Sequence, residues 1–186
     1  MIKTHIRRMD NILEFRGISP TIDPEARVHP LAVIIGDVHI SRGAMVWPKV
    51  IVRGEGGPVE IGERSLLLDG CVVDGLNRGA TVAGDVIISP KSVVYGADVP
   101  GDCLLGPRSI LLEGSVPGRG SVICADTVLP KSYICPDHSW VEGYPPTVKR
   151  SVSEKDLEDL KDQRETLRSR FDEHGSWLGL DAQGGL

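Results

Sequence analysis

The sequence predicts an all-β solenoid, a parallel β-helix of hexapeptide repeats, closed by one C-terminal α-helix. Three observations predict it. Aliphatic side chains recur every six residues through most of the chain, small residues follow most of them four positions later, and the spacing becomes helical after Pro145-Pro146. A six-residue unit is too short for an α-helical repeat and matches the hexapeptide class of β-helix.

The elements follow in order. Ile12-Leu13-Glu14-Phe15 precedes the repeats and reads as a cap over the open end of the stack, which repeat proteins need. The aliphatic series starts at Ile22 and runs Val28, Ile34, Ile40, Val46, Val52, then Ile61, Leu67, Val73, then Val82, Ile88, Val94. After a short step to Val99 it continues Leu105, Leu111, Pro117, Ile123, Leu129, Cys135, Val141. If each hexapeptide is one flat face, three make a coil of about eighteen residues, and the first position of each points into the axis. The fifth position turns inward at a corner, where space is scarce, so Ala32, Ala44, Ser65, Cys71, Ser92, Cys103, Ser109, Ser121 and Thr127 suit it. Turn residues lie between, as in Ile35-Gly36-Asp37 and Ile61-Gly62-Glu63.

Two steps stretch from six residues to nine, through Gly54-Glu55-Gly56-Gly57-Pro58 and Gly75-Leu76-Asn77-Arg78-Gly79. Both are expected to bulge outward as loops, and loops on a rigid scaffold commonly carry function. Beyond the prolines, Ser153 reads as a helix N-cap, with Glu154 and Asp156 at the positive end of the dipole. Leu157, Leu160, Leu167 and Phe171 share a face, and Gly175 reads as the stop. This apolar stripe packs on the chain's own prism or on a neighbouring subunit. The division is 1–148 for the β-helix with its cap and 149–186 for the helix and a frayed tail.

Composition narrows the function. The chain has 186 residues, enough for one core, and only 4% aromatics, as expected of an interior of stacked aliphatics. A net charge of −5, with no basic stripe, argues against nucleic acid or an anionic membrane as partner. The basic stretch Met1 to Met9 lacks a long apolar run, so it is neither signal peptide nor membrane span, and Met9 is an alternative initiator. Cys71, Cys103, Cys124 and Cys135 form no CxxC pair and read as reduced, structural thiols of a cytoplasmic protein.

The run Trp47-Pro48-Lys49-Val50-Ile51-Val52-Arg53-Gly54-Glu55, with Pro58-Val59-Glu60-Ile61-Gly62 and Asp69-Gly70 after it, resembles the γ-class carbonic anhydrase family across about residues 11 to 173. The resemblance implies a left-handed β-helix, a homotrimer, and a zinc held by three histidines at the subunit interface beside an Arg-Gly-Asp run. Arg53 matches the arginine, Glu55 stands for the aspartate, and Asp69 matches the acidic residue of the family's Gln-Asp-Gly stretch, with Leu68 in place of the glutamine. The implied zinc-ligand positions are Asp74, Pro90 and Tyr95, and none is histidine. Catalytic zinc takes three N, S or carboxylate ligands and keeps one position for water, and proline offers no donor. Without the cation, no metal-bound hydroxide forms near neutral pH. The histidines His5, His29, His39, His138 and His174 show no ligand spacing and read as surface residues.

Arg53, Glu55, Asp69, Asp74, Lys91 and Tyr95 remain as candidate interface or pocket residues, with Arg53, Glu55 and Asp69 as interface ion pairs, or Arg53 as the holder of a small anion. The leading expectation is a γ-carbonic-anhydrase-like homotrimer without its zinc triad, with little or no CO2 hydration and a structural or small-ligand-binding role. No cofactor is expected. An active carbonic anhydrase with unconventional ligands such as Asp74 and Tyr95, which alone would need zinc, is the first alternative. A hexapeptide acyltransferase using His138 as base is the second.

Overall fold

The computed structural model describes residues 11–177, with side chains through 173; Met9 as a start, His5, the His174 side chain and the tail from Leu180 lie outside the described residues. Inward aliphatics alternate with outward side chains along short strands, and each strand pairs in parallel with its counterpart one coil away. Three faces result. The first stacks 33–35, 51–53, Val72–Asp74, Val93–Tyr95, Ile110–Leu111 and Val128–Leu129. The second stacks Thr21–Ile22, 38–40, 59–61, Ala80–Val82 and Asp98–Val99. The third stacks Arg27–Val28, Met45–Val46, Leu66–Leu67, Ile87–Ile88, Leu104–Leu105, Val122–Ile123 and Ser139–Glu142. Ile12–Leu13 adds a parallel rung below Ile34 and Ile35, as the expected cap does.

The repeat places the core as the spacing requires. Ile34, Ile40, Val46, Val52, Ile61, Leu67, Val73, Ile88, Val94, Leu105, Leu111, Ile123 and Leu129 are all fully buried in columns along the axis. Two of the buried fifth-position hydroxyls bond across coils, Ser65 Oγ donating to the Ala83 carbonyl at 2.7 Å and Ser92 Oγ to that of Gly106 at 2.9 Å, whereas the buried Ser115 Oγ makes no hydrogen bond among the described residues. Burial raises the pKa of all four thiols, that of Cys103 to about 12, so they are poor nucleophiles.

Ion pairs tie successive coils together at the corners, as in Arg78 to Asp98 at 2.9 Å and Arg119 to Asp102 at 3.0 Å. The third corner, between the third and first faces, stacks Pro48-Lys49, Asp69-Gly70, Pro90-Lys91 and Pro107-Arg108 through N–H to carbonyl bonds. Lys49, Gly70, Lys91 and Arg108 there all hold a positive φ.

The outer surfaces of the faces differ. The third carries an apolar column that includes Met45, Leu66, Ile87 and Val122, all buried. The second presents Thr21, His39, Glu60, Thr81 and Asp98 in register. The first presents Val33, Ile51, Val72, Val93, Ile110 and Val128 in register, all half-buried.

The C-terminal helix, Glu154–Trp177, runs back along the third face. Its N-cap is reciprocal: Ser153 Oγ accepts from the Asp156 N–H at 3.2 Å, and Asp156 Oδ2 accepts from the Ser153 N–H at 2.8 Å. Leu160 packs with Val122 and Val152, Arg164 donates to the Asp85 carbonyl at 2.5 Å, and Arg168 donates to that of Gly43 at 2.9 Å. Asp172 pairs with Arg27 in an early coil. Of the two packings expected, the helix takes its own chain's prism.

Four details correct the sequence reading. Residues 54–58 form no outward loop but continue a single strand, Ile51–Ile61, around the first corner. The cause is the glycine run: a Cβ on Gly54 would strike the Asp37 carbonyl, and one on Gly57 would strike the Gly79 amide, so the bare backbone lies flush against the coils beside it. The second interruption is a turn, closed by Gly79 N–H to the Gly75 carbonyl at 2.7 Å. Gly175 lies inside the helix rather than ending it. His29 is buried, its Nδ1 accepting from the Leu31 N–H at 3.1 Å, and it stands in register with Trp47, Leu68 and Ser89, which are buried at the same edge of the third face. Finally, Thr147–Ser151 is a strand, antiparallel to Ser139–Glu142, that finishes the last coil where the hexad pattern has ended.

Candidate functional site

The first face carries its polar groups in one column beside the first corner. Ile35, Arg53, Asp74 and Tyr95 follow the inward Ile34, Val52, Val73 and Val94, so alternation turns all four outward, and parallel pairing sets them one above another. Arg53 lies between two carboxylates: its Nη1 is 3.5 Å from Asp74 Oδ2 and its Nε is 3.5 Å from Glu55 Oε2. At that separation these are charge contacts, and the buried Arg53 Nε makes no hydrogen bond. Asp74 Oδ1 accepts from the Leu76 N–H at 2.8 Å, an Asx turn that opens the 75–79 loop. Tyr95 stands one rung above Asp74 and is 41% exposed.

The structure brings together Arg53, Glu55, Asp74 and Tyr95, and it separates them from Asp69, Pro90 and Lys91. Those three occupy the third corner, at the opposite edge of the same face, where the Lys91 N–H donates to the Asp69 carbonyl at 3.1 Å. Four to five residues of strand separate Lys91 from Tyr95 and Asp69 from Asp74, about 15 Å along the face. Arg53 therefore pairs with Asp74 and Glu55, while Asp69 is exposed at the far edge. His138 is exposed at the corner between the second and third faces, its ring beside Gly120.

The zinc implied by the resemblance can be tested against these donors. Pro90 has none. The Asp74 carboxylate holds the Leu76 N–H with one oxygen and faces the Arg53 guanidinium with the other, and a cation beside it would meet that positive charge. Among the described residues, no group of three or more His, Cys, Asp or Glu side chains comes together that could hold a metal ion. Zinc does not fit this donor set.

Two features of the site escaped the sequence reading. Arg78, in the 75–79 turn, donates to the Gly96 carbonyl at 2.9 Å and to Asp98 at 2.9 Å, and so pins that turn onto the coil above. The unbroken apolar column on the first face also escaped it, although its signal was present: Val or Ile directly precedes the inward aliphatic on every rung from Val33 to Val128. No helix of the described residues is long and apolar enough to cross a membrane.

No protein-family model matches the chain. The carboxysome assembly protein CcmM of Synechococcus elongatus is 37% identical over 120 residues, which are 58% of this chain and only 22% of that protein. The carnitine operon protein CaiE of Salmonella agona is 30% identical over 144 residues, covering 77% of this chain and 73% of the relative. Among solved structures, a putative acetyltransferase from Bacillus cereus superposes with a TM-score of 0.86 over 89% of this chain and 97% of its own, at 23% identity, a likeness of fold. The coil of hexapeptides, the Trp47-to-Glu55 run and these relatives agree: the chain belongs to the γ-carbonic-anhydrase-like family of hexapeptide-repeat, left-handed β-helix proteins.

Proposed function

We propose that this protein is a homotrimer of the γ-carbonic-anhydrase-like family that does not hydrate CO2 through zinc and acts as a structural, assembly or small-anion-binding member. One observation carries the reading: the family's three ligand positions hold Asp74, Pro90 and Tyr95, and Asp74 is already engaged by Arg53 and the Leu76 N–H. Water held without a metal keeps a high pKa, so the nucleophile that CO2 hydration needs is missing.

The apolar first face supports the trimer. Six rungs of Val and Ile side chains stay half exposed in a single chain, a contiguous patch of the kind that subunit contacts cover. An assembly role accords with the relative named for carboxysome assembly, which shares part of this solenoid. The free thiols suit a reducing compartment, which supports the cytoplasm as its place. Arg53 is the group that would receive a small anion, with Tyr95 as a hydroxyl donor two rungs above it.

The test is stopped-flow CO2 hydration by the trimer purified by size exclusion, with and without added zinc. The reading expects rates at the buffer background in both conditions. Zinc-dependent hydration well above background, abolished by Arg53→Ala, would instead favour an enzyme with unconventional ligands.

A further inference from the structure

The apolar column on the first face runs over six rungs of the prism, and in the trimeric reading a second prism lying parallel alongside covers all of them. A rotation about an axis parallel to the coil leaves every residue at its own height. A threefold cyclic contact is also heterologous, so the patch presented by one copy meets a different patch of the next. Three prisms closing a ring on their first faces therefore bring the first corner of each toward the third corner of its neighbour.

Those two edges carry opposite charge one rung apart in height. The first-corner edge holds Glu55 and Asp74 around Arg53, while Arg78 of the same corner is already paired with Asp98. The third-corner edge holds Lys49 and Lys91 against Asp69, and neither lysine side chain pairs with a described residue. Asp74 lies in the coil of Asp69 and Gly70, and Lys91 stands over Gly70 in the coil above, its N–H on the Asp69 carbonyl. Their heights differ by one strand spacing, about 4.8 Å, within reach of an extended lysine.

We propose that Lys91 of each subunit pairs with Asp74 of the next, so that an ion pair between copies of this chain joins the subunits where the family places its metal. The proposal rests on the trimeric reading above. It balances the site: Arg53 and the partner's Lys91 together offset Glu55 and Asp74. It also gives Lys91, exposed and unpaired in one chain, a partner that lies across the interface.

Dissociation on dilution, followed by mass photometry, tests it with Lys91→Ala, Asp74→Asn and the double variant. Asparagine keeps the acceptor for the Leu76 N–H, and circular dichroism verifies that each variant folds. Each single change should raise the concentration of half-dissociation about tenfold, and the double should raise it no further than either alone, as for two halves of one contact. Lys91→Arg, which keeps the charge, should remain within about twofold of the parent, and covers the case of a truncation that fails to fold. A trimeric parent whose variants dissociate unchanged, or whose single effects simply multiply in the double variant, overturns the ion pair and leaves the trimer standing. A parent that is monomeric at every concentration overturns the trimer and the pair with it.

Discussion

Phe171, near the end of the C-terminal helix, packs edge-on against Trp47 of an early coil, with ring centroids 5.4 Å apart at 67°. The helix begins beside the last coil and reaches the first ones, so this contact fastens its far end. Phe171→Ala removes a ring that is 7% exposed and should cost about 3 kcal/mol, the lower range for truncating a buried aromatic. Thermal unfolding checks the loss, and hydrogen exchange should show it concentrated in the last helical turns.

The other end of the helix depends on a charge. Bonds from Arg150 and Ser153 hold the Asp156 carboxyl well below the usual carboxylate range. A lowered folded-state pKa stabilises above the unfolded value, about 3.9, and the gain is lost as pH falls from there toward the folded value. The stability difference between the parent and Asp156→Asn should therefore be full at pH 7 and shrink steadily below about pH 4. A difference that does not change with pH would assign the Asp156 contribution to geometry alone.

Gly54 tests the corner that the sequence reading took for a loop. A methyl group there would meet the Asp37 carbonyl, which is backbone and has nowhere to move. Gly54→Ala should cost about 3 kcal/mol, whereas alanine at Gly70, which has open space but a positive φ, should cost about 1 kcal/mol. Denaturant unfolding of the two variants distinguishes a packed corner from a free loop.

What could be read from the sequence and what could not has a physical basis. Ile34, Val52, Val73 and Val94 recur at steps that only a coil satisfies, so the prism and its interior follow from side-chain periodicity. Ser153 and Asp156 announce the helix start through their own hydrogen bonds. Residues 54–58 were misread because glycine signals a turn and a tight backbone approach equally well, and only the neighbouring coil decides between them. Gly175 posed the same ambiguity at the helix end. The split of the site was hidden for another reason. Asp74 and Pro90 are sixteen positions apart, close to one coil, yet which corner each occupies depends on the three extra residues of the 75–79 turn.

The register itself can be tested by reconstruction. Asp74→His, Pro90→His and Tyr95→His together should create zinc binding if the protein assembles as proposed, because imidazoles would then stand on both edges that the proposed ring brings together. Each single variant should bind far more weakly. Absence of zinc uptake by a folded, trimeric triple variant would place the family's ligand positions elsewhere in the chain.

The most direct measurement of the central claim is the zinc content of the protein as isolated, purified without chelator and weighed against subunit concentration by elemental analysis. With Asp74 engaged by Arg53 and proline at position 90, the expected ratio is far below one zinc per subunit. A ratio near one, lost when Asp74 or Tyr95 is replaced by alanine, would contradict the account.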